Sequence, residues 1–515
     1  MQLALGLGTF TVYMLMLVNS SPEIIQYTPP TGCSTPNVWA GITLNFTVTS
    51  NGTQLPRFAF FTFQNVEIWR SSTLIPNESG DEGIVWTYVK DVTRFIPLFS
   101  EPGTFILQLD NDIGEPGLDG EFAVTLEATI FSGSSQFPPA QRADLIIPLT
   151  TLAELTGNEA SVPPGLSVEV TLPQNAVTAF AELQASANGE DMSWYSDIPN
   201  QFLSNFAPGT VVGKGPFREV RVLVDGQVAG VAFPYPFVSA EGIAPSASRP
   251  IAPYGALDMP TYHLDLTPFI PILTNGQPHN ITLDVASAEP DHQINENWYL
   301  SGLLQVKLDS STLPTTGNIT LYQAEDYALS TASGSNDNDI DIIVNASRSI
   351  HIEAEIIAGS GEKTKVIFTQ NMEYGNVQNY SQQDPNPQQV FQIASGETLS
   401  THNGETALQD TFTYLLLIDS ATPGTGALWS QIDQSYDREL HPAPFIMGTT
   451  IVERQVAAGT VQTMSSDGFG SNGTSSNTFN YIDTEGNTYT RQVNASSNAI
   501  TFDNQGGTLA PKAGS

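Results

Sequence analysis

The side chains of this sequence with the means to do chemistry are carboxylates and guanidiniums set beside aromatic rings near strand ends. Glu67-Ile68-Trp69-Arg70 runs into Ser71-Ser72-Thr73, and Trp86-Thr87-Tyr88 runs into Lys90-Asp91. Phe217-Arg218-Glu219 opens a segment that ends at Asp225-Gly226, and Asn297-Trp298-Tyr299 precedes another. Ring faces stack on the C–H groups of a sugar while carboxylates and Arg hold its hydroxyls. The same residue types also serve structure, Arg and Glu by pairing across strands and Trp by filling cores. The six histidines, His263, His279, His292, His351, His402 and His441, show no metal-ligand spacing with one another or with a cysteine, so neither metal nor cofactor is expected. There is no G-x-S-x-G elbow. Gly468, Gly470 and Gly473 satisfy G-x-G-x-x-G, but in a polar stretch with no strand-to-helix context, so the match is set aside. The lone Cys33 has no partner for a disulfide within the chain, and its Pro and Gly neighbours read as a loop rather than a nucleophile's setting.

Strands must position these groups. Val124, Leu126, Ala128 and Ile130 alternate with Thr125, Glu127 and Thr129, and Ile350, Ile352, Ala354 and Ile356 alternate with His351, Glu353 and Glu355. One apolar and one polar face marks an antiparallel sheet wet on one side. Asn51-Gly52, Asp119-Gly120, Asp225-Gly226 and Asn275-Gly276 punctuate the runs as turns. Ala176 to Ala187 is open between helix and strand, with strand favoured by its alternation. Soft boundaries divide the chain into residues 1–21, 27–155, 160–310 and 318–510, and no fixed-period repeat is visible. The pattern calls for an all-β protein.

The chain has 515 residues, 17 basic and 53 acidic, for a net charge of -36. Nucleic acid is excluded as a partner, because phosphate contacts need clustered Lys and Arg. An anionic membrane surface is repelled for the same reason, so membrane contact is expected only through an N-terminal anchor. The acidity serves solubility or tunes the chain for an acidic compartment. Leu3 to Val18 is apolar and uncharged, and residues 1–21 read as a signal peptide or remnant anchor. Sequons at Asn45, Asn51, Asn77, Asn280, Asn318, Asn345, Asn379, Asn472 and Asn494, with Asn19 beside the leader, point the same way, to a secreted glycoprotein.

Several ordered motifs carry a family resemblance. Tyr27-Thr28-Pro29-Pro30 with Cys33, the segment from Leu44 to Gly52, EIWRSST from Glu67 to Thr73, GIVWTYVKDVT from Gly83 to Thr93, the block from Gly215 to Val238 and LDMPTYHLDLTPFIPIL from Leu257 to Leu273 together resemble the peptide-N-glycosidase A family, the acidic glycoamidases of plants and fungi. The match spans roughly Tyr27 to Asp309 and continues more weakly beyond. It implies two jelly-roll-like antiparallel β-sandwiches followed by a further β-rich domain. It also implies metal-free hydrolysis of the amide joining an N-glycan to asparagine, in glycopeptides or glycoproteins. Amide hydrolysis needs a base for water, donors for the oxyanion and an acid for the leaving amine. Asp91, Glu67 and Glu219 are the expected catalytic carboxylates, the first two as candidates for the base. Arg70, Trp86, Arg218, Asp258 and Trp298 are the expected substrate-binding residues. Pro56 and Ile75 stand where the family has carboxylates, and Ser248 where it has a tryptophan. These departures keep open a catalytically impaired relative that binds N-glycans or glycopeptides. A structural surface glycoprotein is the third reading, and it lacks the repeats or cross-linking motifs that would support it.

Overall fold

The computed structural model describes residues 7–17, 21–31, 35–74, 83–111, 118–150, 161–163, 165–238, 247, 250–335, 339–381, 388–421, 428–464 and 468–511. Asn19, Cys33, Ile75, Asn77 and Ser248 lie outside these residues. The period-2 patterning is realised as antiparallel ladders, in two compact units. The first unit comprises Met1–Ala160, Gly255–Pro260 and Ser301–Lys307; the second comprises Ser161–Tyr254, Thr261–Leu300 and Leu308–Ser515.

In the first unit, β1 (Leu7–Leu17), β2 (Glu23–Tyr27), β3 (Trp39–Asn51), β4 (Phe58–Phe63), β5 (Val66–Ser72), β6 (Ile84–Asp91), β7 (Gly103–Leu109) and β8 (Glu121–Ser132) form two four-stranded sheets, ordered β1-β8-β3-β6 and β2-β7-β4-β5. Ile42, Leu44, Phe46 and Val48 of β3 and Phe122, Val124, Leu126, Ala128 and Ile130 of β8 point into one core. Phe61 stacks on Trp69 at 4.3 Å between ring centres, and Phe46 meets Phe61 edge-on at 4.9 Å. Such pairs add about 0.5–1.5 kcal/mol beyond the area they bury. Within the run read as a signal peptide or remnant anchor, Leu7–Leu17 pairs with β8 from Leu7↔Phe131 to Leu17↔Phe122. Its Thr, Val, Phe and Tyr content suits a ladder. A short β9 (Leu145–Leu149) pairs with Gly302–Val306.

β10 (Ser161–Val162), β11 (Leu166–Val170), β12 (Ala176–Asn188), β13 (Arg218–Val224), β14 (Gln227–Ala232), β15 (Thr261–Asp265), β16 (His279–Ser287) and β17 (Asn297–Leu308) are ordered β10-β17-β12-β15 and β11-β16-β13-β14, and belong to the second unit except for the Ser301–Lys307 part of β17. The undecided segment from Ala176 is therefore a strand. Taking nine from each strand number turns these orders into 1-8-3-6 and 2-7-4-5, so the second sandwich repeats the topology of the first. The repetition reaches individual side chains. After β6 the chain reads Asp91-Val92-Thr93-Arg94-Phe95-Ile96-Pro97, and after β15 it reads Asp265-Leu266-Thr267-Pro268-Phe269-Ile270-Pro271. At both corners the Asp Oδ1 accepts the Thr backbone N–H at 2.8 Å. The Thr hydroxyl oxygen in turn accepts a backbone N–H, from Ile42 at 3.1 Å and from Ala179 at 3.2 Å.

The rest of the second unit is a long meander: β18 (Thr316–Ala324), β19 (Leu329–Gly334), β20 (Ile340–Ile357), β21 (Lys363–Tyr380), β22 (Gln389–His402), β23 (Glu405–Ala421), β24 (Leu428–Leu440), β25 (Thr449–Met464), β26 (Gly468–Asp483), β27 (Thr488–Ser496) and β28 (Ala499–Gly506). From β20 onward each strand pairs with the next, while β18 and β19 both pair with β20. One face of this sheet is buried and carries long polar side chains that bond to the second sandwich's backbone. Gln370 holds both the N–H and the C=O of Val231 at 2.9 Å, Asn376 donates to Tyr195 O at 2.9 Å, and Arg438 donates to Thr261 O at 2.8 Å. Residues 308–515 fall in the same compact unit as most of the second sandwich.

Candidate active site

β4 and β5 meet through Gln64 and Asn65, both at positive φ (50° and 64°), the requirement of a tight hairpin turn. Trp69 pairs with Phe61 and Glu67 with Thr62, which leaves Ile68 as one residue too many. On a regular strand, residues three apart point to opposite faces. The bulge at Ile68 re-aims Glu67 so that it shares a face with Arg70. Arg70 then donates from Nε to Oε1 at 2.7 Å and from Nη2 to Oε2 at 2.8 Å. The Ser301 hydroxyl donates to Oε2 as well. Both side chains are 1% exposed, and the guanidinium lies 5.1 Å from the centre of the Phe60 ring.

β5 ends the sheet order, yet all seven of its residues are buried. The segment Ala256–Met259 covers its free edge. Ser72 N–H donates to Ala256 O at 2.6 Å, Met259 N–H to Arg70 O at 3.1 Å, and Trp69 Nε1 to Leu257 O at 3.0 Å. The same segment brings in Asp258. Its carboxylate accepts from Tyr88 Oη at 3.0 Å and from Lys90 Nζ at 2.6 Å. Burial, reinforced by the Asp258 charge, holds the Tyr88 phenol well above its ordinary pKa, so it stays a neutral donor. Asp258 is 26% exposed, so this end of the cluster reaches solvent. The Tyr88 ring lies 5.7 Å from that of Trp69.

The second sandwich shows what the charges on β5 are not for. β13 and β14 turn through Asp225 and Gly226, both at positive φ, and pair Leu223 with Val228 and Val222 with Gly230, leaving Ala229 as the extra residue. This is the β4–β5 hairpin again, 161 residues on (228 − 67 and 231 − 70). Val228 and Val231 stand where the first copy has Glu67 and Arg70, and both are 0% exposed. The bulged hairpin therefore forms without an ion pair at these two places. A buried pair rarely stabilises more than apolar residues of its size, so its presence in one copy alone points to function.

The remaining expected residues have other employments. Asp91 is exposed and caps the Thr93 N–H, a corner job its counterpart Asp265 performs with no exposure at all. Trp86 is 6% exposed and packs edge-on against Phe122. Trp298 is 1% exposed and donates its indole N–H to Asp191. The stacking on sugar expected of these two rings needs open faces, and here the rings fill cores. Arg218 is buried between Asp191, at 2.8 Å from Nε, and Asp197, at 2.9 Å from Nη2. Asn295 donates to both carboxylates. Burial, with the Asp191 charge adding to it, pushes Asp197 up to about 8 against the pull of Arg218. Glu219, also buried, accepts the Ala328 N–H at 3.1 Å and lies 3.5 Å from Arg348, and burial raises its pKa despite that cation. The structure thus gathers Glu67, Arg70 and Asp258 in the first unit, with Asp91 at its corner, and sets Arg218, Glu219 and Trp298 in networks of the second.

Sequence reasoning missed Ser301, Asp191, Asp197 and Arg348. None lies in a recognisable motif, and only distance in space links them to the residues they serve. No group of three or more His, Cys, Asp or Glu able to hold a metal occurs among the described residues. A cavity of about 530 Å³ in the second unit, lined by Pro199, Gln201, Glu289, Asp291 and Ser330 among others, contains none of the expected catalytic or substrate-binding residues.

Comparison with known proteins agrees with the motifs. Residues 341–416 match the family described as PNGase_A C-terminal domain. Peptide-N4-(N-acetyl-beta-glucosaminyl)asparagine amidase A of Prunus dulcis is 31% identical over 330 residues, 61% of this chain and 56% of that protein, so the chain spans little more than half the length of this relative. Among solved structures, PNGase F, a glycosylasparaginase from Flavobacterium meningosepticum, aligns with 59% of this chain and 96% of its own at 14% identity and a TM-score of 0.37. PNGF-II aligns with 59% and 66% at 12% identity and a TM-score of 0.38. Residues 16–325 match the family described as Peptide N-acetyl-beta-D-glucosaminyl asparaginase amidase A, and the chain belongs to that family.

Proposed function

We propose that this protein is a glycoamidase that hydrolyses the amide between an N-linked glycan and the asparagine side chain of glycopeptides or glycoproteins. The observation that carries this reading is the Glu67–Arg70 pair, built on a bulged hairpin whose second copy has valines in the same places. Glu67 is the base. It takes a proton from water as the oxygen attacks the side-chain carbonyl, while two N–H groups of Arg70 and the Ser301 hydroxyl hold its carboxylate in one orientation. Asp258 keeps acceptor capacity, Lys90 keeps spare protons and the Tyr88 oxygen keeps a lone pair for glycan hydroxyls. The products are an aspartyl peptide and a glycosylamine, which then releases ammonia. The strand orders 1-8-3-6 and 2-7-4-5 support reading both sandwiches as jelly rolls. Incubation with a defined N-glycopeptide, read by mass spectrometry, tests the activity. Conversion of the glycosylated Asn to Asp is expected, and its absence from pH 4 to pH 8 would defeat the reading.

A second reading, a relative that binds N-glycans without cutting them, draws on Pro56 and on the saturation of the Glu67 carboxylate by Arg70 and Ser301. Glycopeptide binding without conversion would establish it. We infer as well that the chain is exported and glycosylated, because sequons such as Asn51, Asn280, Asn318 and Asn345 are exposed. Glycosidase treatment of secreted material should increase its gel mobility.

A further inference from the structure

The long sheet of the second unit has a buried face and an outer face, and side chains alternate between them. Along β20 the even residues from Ile340 to Ile356 are buried, and the odd ones from Asp341 to Ile357 point outward. Following the register across the ladders assigns every strand to these two faces. Asn345 lies in the outward set directly, and Asn318 does so through its partner Glu355. Asn379 is opposite Asp341. Asn472 pairs with Thr460, which is outward by its parity with Val456, and Asn494 pairs with Ser476, opposite Val456. Val456 is opposite Asp433, which faces Leu417 of the outer set. The sequon asparagines of this sheet, Asn318, Asn345, Asn379, Asn472 and Asn494, thus all fall on one face.

That face also carries an apolar island. One cross-strand row reads Ile343–Val377–Phe391–Leu417, and the next reads Asn345–Gly375–Ile393–Leu415. Ile343 is 40% exposed and the other apolar members are half-buried. Polar rows frame the island: Asp341, Asn379, Gln389 and Asp419 on one side, and Ser347, Glu373, Ser395 and Thr413 on the other. Asn345 therefore sits in one of the island's own rows, between Gly375 and Thr331 of β19, and Asn379 sits beside Val377 in the frame. Gly375, opposite Asn345, leaves a notch. A Cβ there would touch only Asn345 Oδ1 and the Ile393 side chain, each at 3.6 Å.

We propose that N-glycans on Asn345 and Asn379 cover this island, the first sugar on Asn345 lying over Gly375 against Ile393. The proposal rests on the inferred passage of the chain through a glycosylating secretory lumen. Transfer joins Asn Nδ2 to the anomeric carbon of a lipid-diphosphate-linked oligosaccharide. Nδ2 gives up one proton, and the lipid diphosphate leaves with the bonding pair. One N–H remains, so the 2.6 Å bond from Asn379 Nδ2 to Asp341 Oδ1 is compatible with the modification. The stacking of sugar C–H faces on aliphatic and aromatic side chains hides surface that otherwise invites association.

The test uses the full chain secreted from a eukaryotic host. Glycopeptide mass spectrometry should find Asn345 and Asn379 occupied. Removing both sequons while keeping the asparagines (Ser347→Ala with Ser381→Ala) should raise the binding of an apolar dye several-fold and give concentration-dependent association in sedimentation velocity. Thr474→Ala, which removes the Asn472 sequon away from the island, should change neither. Bare Asn345 and Asn379 in a chain glycosylated elsewhere would overturn the proposal and leave export standing. Occupied sites with a double variant that behaves as wild type would overturn the shielding. A chain without glycan at any sequon would overturn the export reading and this proposal with it.

Discussion

Glu67 and Val228 hold the same place in two copies of one bulged hairpin, two residues past the turn and directly before the extra residue. The comparison gives the charged pair a control that the molecule itself supplies. Exchanging Glu67 and Arg70 together for valine, as in the second copy, should leave the chain folded and abolish turnover. A buried pair replaced whole by apolar residues is often neutral or stabilising. Circular dichroism and glycopeptide conversion measured side by side check this. A double variant with undiminished activity would remove Glu67 from the mechanism.

Single substitutions at the pair should behave differently. Glu67→Gln leaves Arg70 without its counter-charge, and breaking a buried pair costs about 3–5 kcal/mol. It should also cost roughly 10²–10⁴-fold in turnover, the usual scale of general-base help. Arg70→Lys should lose activity too, since a point charge does not replace the two-pronged donor. Thermal melts and kcat on the same preparations separate the two effects.

Asp91 should prove a corner residue. Asp91→Asn keeps an oxygen for the Thr93 N–H and should retain turnover, whereas Asp91→Ala removes the cap and should cost about 1 kcal/mol, as loss of a comparable helix cap does. Loss of turnover in Asp91→Asn with an unchanged melting temperature would restore it as a candidate base.

Stability should fall as pH rises through the neutral range. The folded-state pKa of Asp197 and that of Glu453 are each pushed up by burial to about 8, far above the ordinary carboxyl values of the unfolded chain. Between those limits the folded form binds more protons than the unfolded one, so each group removes about 1.4 kcal/mol per pH unit as the pH climbs. The opposite sign belongs to Asp225, which is held low by His279 and the Asn280 N–H and loses its contribution in stronger acid. Denaturant titrations should therefore show a maximum in mild acid, and Asp197→Asn should flatten the fall toward pH 8.

Glu219 and Arg348 should tolerate joint replacement. Glu219 Oε2 and Arg348 Nε and Nη1 are buried without a hydrogen-bond partner among the described residues, and burial lowers the Arg348 pKa. Arg348→Met alone should destabilise, while Glu219→Met with Arg348→Met should recover most of the loss, read by chemical denaturation. Full activity in that double variant would show that Glu219 takes no part in the reaction.

How much of this was legible in the sequence depends on the length scale of the signal. Alternation along β8 and β20 is a local pattern, and it showed the all-β fold directly. Ordered motifs carried Glu67, Arg70 and Asp258, which do meet in the first unit. The bulge at Ile68 was invisible, because one extra residue leaves no compositional trace. The duplication was invisible at the hairpins, where Gln64-Asn65 and Asp225-Gly226 share only backbone sign. Its one readable trace was Asp-x-Thr-x-Phe-Ile-Pro, present after β6 and again after β15. Asp191 lies within a short 3-10 segment, Gly189–Ser196, and Asp197 caps its end; no motif marks them, and the buried Arg218 explains them.

The strip Ala256–Met259 that seals β5, and Ser301 that braces Glu67, are made long after the strands they complete. A ribosome that has just released Ala160 has still to add the residues to Lys307 (307 − 160 = 147) before the first unit is whole. At about 5–20 residues per second this is a delay of roughly 7–30 s. During that time the nascent sandwich exposes an open strand edge and a half-built site. Glu67 is thus assembled only once translation has passed well into the chain, and a fragment stopped at residue 160 would never acquire it.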